Sequence, residues 1–147
     1  MLAQQAAANI KLGVPTPATS PGLDRFQLAG LKTWLWVDGW DPVSQTASIP
    51  GLSAKVSARP TSTTWDLGDG PPVECAGPGA PWRAELGADQ STSCSHVFTK
   101  RGIYQGQVTV HWAVTWAASN GQGATLPGID RTAAFTIEVR SAQAVTD

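Results

Sequence analysis

Charge is scarce in this sequence: 14% of its 147 residues are charged, 10 basic against 11 acidic. So sparse and balanced a set builds no positive field, which excludes recognition of nucleic acid or of an anionic membrane surface. No run of about 18 apolar residues occurs, so no segment spans a bilayer as a helix. The stretch from Met1 to Leu12 has neither a basic start nor an apolar run after it. If the protein is secreted, its export signal is expected to have been removed ahead of this numbering, and Met1 is then either native or an expression start. Histidine is limited to His96 and His111, and cysteine to Cys75 and Cys94. No C-x-x-C motif, His-rich cluster or nucleophile with an evident base emerges, so the sequence offers no catalytic machinery.

What is plentiful is Gly, Pro, Ser, Thr, Ala and, with seven copies, Trp. That balance fits a turn-rich all-β extracellular domain better than a cytosolic enzyme, and the length suits one domain with one core. Cys75 and Cys94 sit in a stretch rich in Gly, Pro and Ser, without the neighbours that zinc needs, and read as a disulfide; two buried thiols are the alternative. Such a bond persists only in an oxidising compartment, so the expected location is secreted or cell-surface.

Along the chain, residues 1–30 read as an irregular arm or linker broken by Pro15, Pro17 and Pro21, with room for a short helix over Leu2 to Leu12. Residues 31–140 alternate in short runs between turns, and 141–147 form a tail. Lys32 to Val37 places Trp34 and Trp36 on one face and Leu35 and Val37 on the other, as in a strand covered on both sides. Gln45 to Ile49, Leu52 to Arg59 and Thr61 to Leu67 follow as separate strands. The last of these is stopped by Gly68-Asp69-Gly70-Pro71-Pro72. The excursion Pro71 to Ser93 is irregular. Gly106 to Trp116 is the strongest strand, with Val108, Val110, Trp112, Val114 and Trp116 on one face. Ala118 to Ile129 reads as a polar loop, and Thr132 to Val139 as the last strand. About seven strands result, the number used by immunoglobulin-like sandwiches.

Thr64-Trp65-Asp66-Leu67-Gly68-Asp69-Gly70, then Ser95-His96-Val97-Phe98, then Gly102-Ile103-Tyr104 and Val108-Thr109-Val110, resemble the PKD domain in the family's order. The resemblance spans Leu52 to Val110. It implies an immunoglobulin-like β-sandwich that serves outside the cell as a contact module or spacer and is not itself a catalyst. It also implies that Trp65 fills the core, that His96 and Phe98 share one side of a strand, and that Tyr104 forms a tyrosine corner. Leu67 stands where the family usually has Phe, and the excursion is longer than its usual connection. Trp34 to Val37, the cysteine pair and the ending Gln143-Ala144-Val145 look like small exported PKD proteins of high-GC Gram-positive bacteria.

The candidate sites follow. His96 is expected as a structural hydrogen-bonder and His111 as a half-exposed strand residue. Asp66 and Asp69, with Glu74 and Asp89 near, offer oxygen ligands of the kind calcium takes, against the simpler role of fixing a turn. Trp34, Trp36, Trp65, Trp112 and Trp116 are expected in the core. Trp40 and Trp82 lie in turn-rich segments and are the candidates for surface contact, with a protein or with a sugar face. The expected function is therefore adhesion or self-assembly through a protein partner, with carbohydrate binding and a calcium-stabilised spacer as the other readings.

Overall fold

A computed structural model describes residues 2–141, without the side chains of Ala88 and Asp89. The tail beyond Ser141, including Gln143-Ala144-Val145, and the Asp89 carboxylate lie outside the described residues. The chain runs through α1 (Leu2–Asn9), β1 (Thr16–Ser20), β2 (Phe26–Leu28), β3 (Lys32–Asp38), β4 (Val43–Ile49) and β5 (Leu52–Asp66). It continues with β6 (Val73–Cys75), short 3-10 turns at Ala84–Asp89, β7 (Ser95–Val97), β8 (Gly102–Ala118) and β9 (Gly123–Arg140). These build a small sheet ordered β1-β3-β7 and a large one ordered β2-β9-β8-β5-β4, with β6 beside β5. The product is the expected all-β sandwich with one disulfide.

The strand pattern explains the core. On β8 the alternation of Val108, Val110, Trp112 and Val114 buries one face, as does that of Phe135, Ile137 and Val139 on β9. On β5 the residues Ala54, Val56 and Ala58 and then Thr63 and Trp65 face inward. Trp65 is fully buried, its ring edge-on to Phe135 at 5.8 Å between centroids. The small sheet contributes Leu35 and Val37 to the same cluster.

Several boundaries differ from the expectation. Leu52 to Asp66 is one strand and not two, because Pro60 is accommodated by a shift in register between Pro60 and Ser62 opposite Trp112 and His111. A bulge lets proline sit inside a long strand without ending it. Likewise, the supposed loop from Ala118 to Ile129 is mostly the first half of β9. Its residues pair with β8 from Ala117↔Gly123 to Trp112↔Ile129, and the turn shrinks to the few residues around Asn120 and Gly121.

Residues 1–30 carry more regular structure than their proline content suggests. Pro17 lies in β1, at the edge of the small sheet, where a missing N–H costs no ladder bond. A buried polar chain then anchors the segment. Thr33 donates to Gln27 Oε1 at 3.1 Å, and Gln27 Nε2 and Thr19 Oγ1 both donate to the Pro21 carbonyl, at 2.7 and 2.6 Å. Upstream, α1 packs on β4, β5 and β8, burying Ala3 and Ala6, with Ile10 and Leu12 buried behind it. The small sheet lies on the β9 side, and the helix covers the β4 side.

Candidate functional site

The motif residues assemble at one end of the sandwich. Asp66 at the end of β5 accepts a hydrogen bond from Gly68 N at 3.1 Å, which closes a tight turn. Gly68 has φ +81, and a Cβ there would stand 2.9 Å from the Gln105 carbonyl oxygen, so the position demands glycine. Asp69 then reaches His96 Nε2 at 2.7 Å. The His96 ring stands edge-on to Phe98 at 4.7 Å, and Phe98 lies 5.2 Å from Tyr104. The Tyr104 hydroxyl donates to the Lys100 carbonyl at 2.7 Å, which is the tyrosine-corner arrangement. Gly70 and Gly102 complete the two loops with positive φ. These side chains join the Asp66 turn to β7 and to the start of β8, and the carboxylates of Asp66 and Asp69 are engaged in that joint. Glu74 lies apart from it, accepting from Thr64 Oγ1 at 3.0 Å.

Cys75 and Cys94 form a disulfide that closes the excursion after β6. The excursion is also fastened to the sheets. Thr63 Oγ1 accepts from the Trp65 indole at 3.2 Å and donates to the Gly77 carbonyl, and Val37 N donates to the Pro78 carbonyl at 2.9 Å. Farther out, the Gln90 amide accepts from Arg83 N and donates to the carbonyls of Arg83 and Gly87, at 2.9, 2.6 and 2.8 Å. The loop thus held displays Trp82, 41% exposed, and Leu86, 61% exposed. Trp40, the other expected contact residue, is half-buried against the core after the Gly39 turn.

The tryptophans of β3 are a correction. Thr33, Leu35 and Val37 face the core, whereas Trp34 and Trp36 are half-buried on the outer face of the small sheet, beside Ser20, Ala18 and Ser95. Alternation divides the strand into two faces, but the sandwich covers only one of them. Trp116 is likewise only half-buried, near the far end of β8.

One constellation escaped the sequence reading. His111 Nε2 lies 2.7 Å from Thr64 Oγ1, and its Nδ1 lies 2.8 Å from Asp130 Oδ1, on the outer face of the large sheet. The order of hydroxyl, imidazole and carboxylate resembles a nucleophilic relay. Thr64 and His111 sit mid-strand, however, paired on both sides, Thr64 with Glu74 and Thr109 and His111 with Ser62 and Asp130. The arrangement orders a row of polar side chains across strands. Its only sequence signal was a histidine on the polar face of a central strand.

Among the described residues, no group of three or more His, Cys, Asp or Glu is placed to hold a metal ion, and no helix is long and apolar enough to cross a membrane. Comparison with curated proteins and with solved structures returns no match. The family model of the PKD domain matches residues 41–125, more than half of the chain. That span includes the Asp66 turn, the disulfide and the tyrosine corner described above, and the chain belongs to the PKD domain family.

Proposed function

We propose that this chain is a non-catalytic extracellular module of adhesion or assembly that engages a protein partner through its exposed loop and sheet edges. Domains of this family are generally extracellular modules of protein interaction or adhesion. The observation that carries the reading here is the disulfide-closed excursion, which presents Trp82 and Leu86 to solvent from a loop already tied by the Gln90 amide. Exposed large apolar side chains on a preorganised loop lose little conformational freedom on binding, which is how aromatic anchors contribute most to an interface. The disulfide supports a secreted or cell-surface location. The likeness of the Trp34 to Val37 segment and the cysteine pair to exported proteins of high-GC Gram-positive bacteria supports a cell-envelope setting of that type.

The test is retention of the labelled protein on the surface of the cells that produce it, read by flow cytometry. Trp82→Ala with Leu86→Ala should lower retention about tenfold, the loss of one modest anchor. Undiminished retention by the double variant would end the reading.

Carbohydrate binding is a second reading, favoured by the half-exposed Trp34 and Trp36. Their neighbours at Ala18, Ser20 and Ser95 carry no charge. It predicts that cell-wall polysaccharide alone quenches tryptophan fluorescence and that retention survives protease treatment of the cells. A protein partner predicts loss of retention after the same treatment.

A further inference from the structure

The edges of the two sheets are not alike. In the small sheet β1 carries Pro17, and β7 has three residues. In the large sheet β2 and β6 also have three residues each, and β9 beyond its short pairing with β2 carries Pro127-Gly128, Asp130 and Arg131. Proline, charge and brevity are the ordinary devices that stop an edge from pairing with another chain. Strand β4 has none of them: Val43-Ser44-Gln45-Thr46-Ala47-Ser48-Ile49 is seven residues long, uncharged and free of proline and glycine.

Its hydrogen-bonding direction follows from its neighbours. The hairpin closes at Ile49↔Leu52 across Pro50-Gly51, so Ile49, Ala47, Gln45 and Val43 exchange backbone bonds with β5. In agreement, Ser53 opposite Ser48 turns its N–H and C=O away from β4, to Ser119 Oγ and Ser119 N at 3.0 and 2.9 Å. Ser44, Thr46 and Ser48 therefore direct their N–H and C=O groups to the open edge. The side chains of these three point to the outer face, and those of Val43, Gln45, Ala47 and Ile49 to the inner face, opposite Ala58, Val56, Ala54 and Leu52.

The sequence of β4 also reads nearly the same in both directions about Thr46. A two-fold axis through Thr46 would pair Thr46 with itself, Ser44 with Ser48, Gln45 with Ala47 and Val43 with Ile49. Ser44, Thr46 and Ser48 then meet as hydrogen-bonded pairs, hydroxyl beside hydroxyl. On the inner face Ile49, 55% exposed in the single chain, meets Val43. A two-fold interface must be self-complementary, and this edge satisfies that condition in backbone parity, polarity and charge at once.

We propose that two copies of this chain associate antiparallel through β4, joining their large sheets into one continuous sheet. The proposal deepens the assembly reading above by naming the partner and the edge. A seam of one strand pair lies at the small end of specific interfaces, so association should be concentration-dependent, with a dissociation constant of about 1 to 100 µM.

The test uses sedimentation equilibrium of the full chain and two double variants. Ser44→Lys with Ser48→Lys places like charges opposite one another twice across the seam, and should weaken association at least about tenfold at low salt. Ser44→Glu with Ser48→Lys places opposite charges there, and should associate at least as well as the parent. Both sites are exposed and lie directly opposite Ser57 and Ser53 within the chain; Lys55 stands diagonal to both on the same face, so urea unfolding of each variant separates any loss of fold from loss of the seam. Thr125→Lys on exposed β9 is the control and should change nothing. A parent that stays monomeric up to about 1 mM overturns the proposal, since this lies beyond any useful affinity. A parent dimer that both double variants weaken equally, or that neither alters, also overturns it. In all these cases the cell-retention result stands separately, so loss of the β4 seam does not decide the wider interaction reading.

Discussion

Gly79 shows how one residue fastens the excursion to the small sheet. It has φ +84, and an added Cβ would collide with the Leu35 carbonyl oxygen and stand 2.9 Å from Trp36 Cα. Gly39, with φ +79, has nothing within 4 Å of the same position. Alanine at Gly39 should cost about 1 kcal/mol, the left-handed penalty alone. At Gly79 the backbone collision adds to it, and a loss of about 3 kcal/mol or more is expected in urea unfolding, since a strained turn beside packed backbone cannot relax cheaply. Equal losses at the two positions would mean that the excursion yields freely and is not held against β3. A milder substitution probes the corner. Tyr104→Phe removes only the hydroxyl bond to Lys100 and should cost about 1 kcal/mol by the same measurement, with ring packing on Phe98 retained.

At the scale of elements, the disulfide and the loop it closes make the clearest case. Cys75 leaves β6 and Cys94 precedes β7, nineteen residues apart. Replacing both with serine should lower stability by about 3 kcal/mol in the chain-entropy account. It should also make Arg83, exposed beside the 3-10 turns, the first site of tryptic cleavage in a time course read by mass spectrometry. The cysteine pairing was legible because the chain has only two cysteines, the Asp66 to Tyr104 motif through its resemblance to the PKD domain, and the strictly alternating strands because period is a local pattern. Val108 to Val114 and Phe135 to Val139 declare their buried face by period alone. Four other features were not legible, each for a physical reason. Pro60 reads as a breaker unless the bulge opposite Trp112 is known, and Pro17 reads as irregular unless its strand is known to be an edge. The half-buried Trp34 and Trp36 depend on which face the second sheet covers, which period cannot tell. The partners of His111 lie 47 and 19 residues away and are set by register among three strands, so no local signal could have brought Thr64 and Asp130 to it.

The whole molecule is an unequal sandwich, and its inequality should govern how it opens. A three-stranded sheet faces a larger one whose strands β8 and β9 run to 17 and 18 residues. The β4 side of the large sheet is covered by α1, an eight-residue helix too short to be stable alone, followed by Ile10 and Leu12. The two covers are continuous in sequence, joined through Gly13 to Pro15, but they rest on different strands. Ala6 is fully buried beneath the helix, and an arginine there can reach water only if α1 lifts away. Ala6→Arg should therefore lose amide protection over Val43 to Ala58 and Thr115 to Ala118 and bind a hydrophobic dye. Protection around Trp65, Tyr104 and Ile137 should persist, because the small sheet and the tyrosine corner hold that end independently. Uniform loss of protection would show instead that helix and sandwich open as one cooperative unit. Ile10→Ala, which removes part of the same cover without adding charge, should cost about 2 to 4 kcal/mol and shift the same amides in the same order.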